Sequence, residues 1–140
     1  MKTILVIVAA ILFVGCSPQN TTPVVPALTN SAFDSIKAQL LKKGTFIGLD
    51  GPTSGTAKVY DQSGIKYITL DPFVSHSGPD LYVYLSKDVN AADYIRVGKL
   101  QAVTGRQIYS VPGNPSIVSY NYVHIWCQAY SVDFAHAEIK

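Results

Sequence analysis

Residues 81–85 read Leu81-Tyr82-Val83-Tyr84-Leu85. Strict alternation puts the three aliphatic side chains on one face of an extended segment and both tyrosines on the other, as in a sheet covered on one side. The same texture continues on either side of this segment. Short runs rich in β-branched and aromatic residues are broken by Gly, Pro, Asp or Asn about every ten residues. Strands are expected over 45–49, 56–61, 65–70, 81–86, 95–100, 107–111 and 122–134, the last of them bent. Seven to eight strands predict an all-β antiparallel domain, either a sandwich or a small barrel, spanning 44–140.

The 140 residues leave room for one compact domain. With 48% hydrophobic and 14% charged residues, nine Tyr and one Trp, the composition is that of a globular β-rich chain. A formal charge of +2 carries no electrostatic footprint for DNA or RNA, and nucleic acid is excluded as a partner.

Upstream of the strands, Phe33, Ile36, Leu40 and Leu41 recur at helical spacing after a cap at Asn30 or Ser31. Lys42, Lys43 and Gly44 close the run. This predicts a short amphipathic helix over 31–43, packed against the edge of the domain. The preceding segment, 16–30, is uncharged and Pro- and Thr-containing, the composition of an extended tether.

The chain starts Met1-Lys2-Thr3, is apolar from Ile4 to Val14, and then reads Gly15-Cys16. Eleven apolar residues span only about half of a bilayer as a helix, whereas a cleaved leader over 1–15 has this length. Phe13-Val14-Gly15-Cys16 resembles the lipobox of bacterial lipoproteins. That resemblance implies diacylglycerol on the Cys16 thiol, cleavage before it, and attachment to membrane lipid through acyl chains. Ser17 stands where an inner-membrane retention signal would place Asp. The expected location is therefore the cell envelope, at the outer membrane if the host has one.

With Cys16 acylated, Cys127 is the remaining thiol and has no partner within the chain. Strand alternation puts Val123, Ile125 and Cys127 on one face and His124, Trp126 and Gln128 on the other. Cys127 therefore points to the apolar side, where it is either a packed core thiol or a redox group. His76, His124 and His136 are the other soft or borderline ligands. The three-residue interval between His124 and Cys127 sets them on opposite faces, Met1 is the only methionine, and no paired-cysteine motif is present. No metal site is expected on these grounds. Ser54-Gly55 and Ser77-Gly78 read as turns rather than nucleophile elbows, and Asp50, Asp71 and Asp80 read as turn caps.

Four stretches, taken in order, resemble the DM-thirteen domain family of electron-transfer domains. These are Ser54-Gly55-Thr56, then Gly78 through Ser86, then Gly105 with Gln107, Tyr109 and Pro112, and finally Val123 through Ala137. The resemblance implies that Cys127 is the family's cysteine and that the domain takes part in redox chemistry, with Trp126, Tyr130 and Phe134 shaping its surroundings. It names neither a cofactor nor a redox partner. The rival expectation is a non-catalytic ligand-binding or scaffolding module of the envelope.

Overall fold

The computed structural model describes residues 32–140, so the leader, Cys16 and the tether lie outside the described residues. Eight strands follow in chain order: β1 (Gln39–Gly48), β2 (Ser54–Gln62), β3 (Ile65–Val74), β4 (Leu81–Ser86), β5 (Tyr94–Lys99), β6 (Gln107–Ser110), β7 (Tyr122–Cys127) and β8 (Val132–Glu138). They form a single sheet in the order β5-β4-β7-β8-β1-β2-β3-β6, and every neighbouring pair is antiparallel. The sheet curls until its edge strands almost meet. Between β5 and β6 the Tyr109 ring lies against Gly98, and the backbone N–H of Gln101 donates to the Tyr109 hydroxyl at 3.0 Å. The result is a nearly closed barrel.

The alternating segment behaves as its pattern dictates. Val83 and Leu85 are fully buried inside with Val59, Ile68, Leu70, Val123, Ile125, Ala135 and Ala137, while Tyr82 and Tyr84 face outward. The barrel interior is a packed core of side chains.

Two expectations are corrected. The first is the helix over 31–43. Among the described residues this segment makes a single turn, in which Asp34 O accepts from the N–H groups of Lys37 and Ala38 and Asp34 Oδ1 accepts from Ile36 N at 2.9 Å. It then enters β1 at Gln39. Long-range pairing overrides the helical spacing. Gln39 to Thr45 pair with β2, and Phe46 to Gly48 pair with β8. Lys42 Nζ donates to Tyr120 O at 2.8 Å and to Asn121 Oδ1 at 2.9 Å. Gly44 is therefore no helix stop. It lies where β1 changes partner, and a Cβ there would come 2.0 Å from Glu138 O. Of the apolar residues assigned to the helix face, Phe33 packs on the Tyr60 and Tyr67 rings while Ile36 is 93% exposed.

The second correction is the single bent strand over 122–134, which is the hairpin β7–β8. Residues 128–131 make the turn, with Ser131 at φ 54° and Gln128 N donating to Asp80 O at 2.9 Å.

Candidate functional site

Cys127 ends β7. It sits opposite Leu81 of β4 and Val132 of β8, is 0% exposed, and belongs to the central core cluster together with Leu81 and Phe134. His124 points to the other side of the same strand, as the odd interval requires. The structure thus does not bring these two residues together.

The outward side of β5-β4-β7-β8 carries a layer of aromatic and polar groups. Tyr94 stacks on Tyr84 with ring centroids 4.2 Å apart, and Tyr84 lies nearly parallel to Trp126 at 5.8 Å. The Tyr84 hydroxyl accepts from Gln128 Nε2 at 2.8 Å, and Gln128 Oε1 accepts from Arg96 at 3.3 Å. The Arg96 guanidinium lies 5.2 Å from the centre of the Tyr82 ring. Burial under this stack pushes the Tyr84 phenol up from its ordinary range, although the Gln128 hydrogen bond opposes the shift.

Beside the stack, His124 and His136 face each other across β7 and β8, with ring centroids 5.5 Å apart. Asp133 Oδ2 lies 2.8 Å from His124 Nδ1 and 2.9 Å from His136 Nδ1. A bulge makes this possible. In a regular strand Asp133 and His136 would point to opposite faces, because they are an odd number of residues apart. The register of β7 with β8 shifts between Ile125, opposite Ala135, and Trp126, opposite Asp133, leaving Phe134 as the extra residue. Phe134 and Ala135 then both turn into the core, and Asp133 is re-aimed outward beside His136.

The loop at residues 87–93 covers His124, which is fully buried. Its shape comes from Asp88, whose carboxylate accepts from the backbone N–H groups of Asn90, Ala92 and Asp93 at 3.0, 3.1 and 3.1 Å. These bonds, led by that from Asp93, hold the Asp88 carboxyl below the usual carboxylate range. The loop so folded places the Asp88 carbonyl 3.4 Å from His124 Nε2.

His76 belongs to neither group. It stacks on Phe134 at 4.6 Å, approaches Asp50 at 3.8 Å, and packs over Gly51, where a Cβ would come 2.7 Å from its ring. At the barrel seam, Gln107 is a buried amide hydrogen-bonded through both its oxygen and its nitrogen. Its Oε1 accepts from the Tyr109 hydroxyl at 2.6 Å, and its Nε2 donates to Ala102 O at 2.6 Å. Burial pushes the Tyr109 phenol up to about 12.

Sequence reasoning singled out His124 and His136 but missed Asp133 and the convergence of all three. A hairpin centred near Tyr130 would have paired His124 with His136, but the bulge that adds Asp133 leaves no mark in the alternation.

The family model described as Electron transfer DM13 matches residues 45–139. The match includes Cys127, the outward aromatic layer and the histidine cluster. Comparison with curated proteins and with solved structures returns no match.

Proposed function

We propose that this chain, which belongs to the electron transfer DM13 family, is a lipid-anchored module of the bacterial cell envelope that takes part in electron transfer through Cys127. The single observation that carries the reading is the family match, which runs through nearly the whole barrel and includes the cysteine at the end of β7. Anchoring is supported by the leader over 1–15, the lipobox-like residues ending in Cys16, and an uncharged tether long enough to hold a domain off a lipid surface.

The place of Cys127 in the core governs how such a role is exercised. The thiolate is the reactive species and must be reached by its partner. Because Cys127 is fully buried beside the turn at 128–131, reaction proceeds from a locally opened hairpin end rather than from the closed barrel. Alkylation by a thiol reagent near neutral pH tests this. Modification should proceed in the folded chain faster than global unfolding, and Cys127→Ser should abolish it.

One observation favours a second reading, a non-catalytic ligand-binding or scaffolding module. Cys127 is 0% exposed in a core of hydrocarbon side chains, the environment of an inert packing thiol. A thiol that stays silent until the whole domain unfolds would select this second reading.

A further inference from the structure

We infer that His124, Asp133 and His136 form a binding site for a divalent first-row transition-metal ion on the outward face of the β7–β8 hairpin. Two imidazole nitrogens and a carboxylate oxygen are a borderline donor set suited to such ions, and here the three donor atoms lie within 4.8 Å of one another. Metal–ligand bonds of roughly 2.0–2.1 Å put donor atoms about 2.9 Å apart at right angles and about 3.4 Å apart in a tetrahedron. The Asp133 Oδ2 to Nδ1 separations of 2.8 and 2.9 Å, here hydrogen-bond contacts, reach the first spacing and would open by about half an ångström for the second. Protein ligands would occupy one side of the ion, leaving the remaining positions to water or a small ligand.

Two further observations point to a cation. Asp133 Oδ1 is buried and has no hydrogen-bond partner among the described residues, and the ion-pair partners of Asp133 among them are these two histidines. An acceptor oxygen removed from water without a partner is costly, and a cation held by both carboxylate oxygens of Asp133 would offset that cost. The second observation concerns the orientation of His124. The Asp88 carbonyl lies 3.4 Å from Nε2, so an ion on Nδ1 would leave the Nε2 N–H directed at this carbonyl. A histidine ligand commonly donates its other ring N–H to a backbone carbonyl, which fixes the tautomer. The bulge that re-aims Asp133 and the Asp88-organised loop over His124 serve the same three donor atoms. This inference does not rest on the redox reading, since a redox-inactive ion fits the same donors.

The test uses the full chain with Cys16 acylated or replaced by Ala, so that no N-terminal thiol competes. Metal is stripped with a chelator, and the protein is titrated with Co2+ by visible absorption and with Zn2+ by calorimetry. One ion per chain is expected. Even residues that only support metal ligands change affinity roughly 10–100-fold, so His136→Gln and Asp133→Asn should each weaken binding at least tenfold. His76→Gln should bind as the unmodified chain does. Because His124 is buried and its variants endanger folding, it is followed by imidazole nitrogen resonances in the unmodified chain. Zn2+ should move Nδ1 of His124 and His136 and leave His76 in place. Absence of one-to-one binding would overturn the inference. So would affinity unchanged in both the His136 and Asp133 variants, or resonance shifts confined to His76.

Discussion

Replacing Cys127 by serine should destabilise the domain more than replacing it by alanine, although serine is closer in size. Cys127→Ala deletes one buried sulfur, a loss comparable with removing a methyl group, at a position that is 0% exposed. Its expected cost is about 1 kcal/mol. Cys127→Ser keeps the volume but puts a hydroxyl among the hydrocarbon side chains of the core cluster, which include Leu81, Ile125 and Phe134. A buried hydroxyl without a partner costs about 1–3 kcal/mol. For a domain near 100 residues, each kcal/mol moves Tm by roughly 4–8 °C. Alanine should therefore lower Tm by about 4–8 °C and serine by roughly twice that, read from far-UV circular dichroism and checked by urea titration. A serine variant as stable as the parent, or more stable than the alanine variant, would refute the placement of this side chain in the apolar interior.

Gly44→Ala tests the corrected start of the barrel. An added Cβ would come 2.0 Å from Glu138 O, so β1 and β8 must separate, at a cost of about 1–3 kcal/mol in urea unfolding. Tyr109→Phe removes both hydrogen bonds of the phenol at the barrel seam and should cost about 1–3 kcal/mol. In the parent, Tyr109 titrates at about 12, above the ordinary phenol value of 10.0. Its contribution is fully present below pH 10 and is lost as pH rises through 12, so alkaline urea titrations of the parent and Tyr109→Phe should converge across that window. Cys16→Ala should abolish lipid modification and release the chain from membranes, with the mature N-terminus and its mass read by mass spectrometry.

Strand alternation was legible wherever one face meets the core. It correctly turned Val83, Leu85, Val123, Ile125 and Cys127 inward. It did not foresee that Tyr84 would also be buried, because that burial comes from Tyr94 and Trp126 stacking over the outer face. The start of β1 misread as a helix because Phe33, Ile36, Leu40 and Leu41 fall at helical intervals, while the pairing that decides the outcome involves Lys58 to Asp61 and the chain end near Lys140. The β7–β8 turn was hidden because it contains neither Gly nor Pro; Ser131 takes the left-handed conformation instead. The site depended on that hairpin. Once the turn and the bulge at Phe134 were unseen, His124 and His136 could not be paired and Asp133 could not be aimed at them.

Electron transfer through Cys127 is tested most directly by protein-film voltammetry of the full-length chain purified from its native host, run beside a folded Cys127→Ser variant. The native protein should give a reversible wave that disappears in the variant. A folded native protein without a wave, or a wave that Cys127→Ser leaves unchanged, would contradict it.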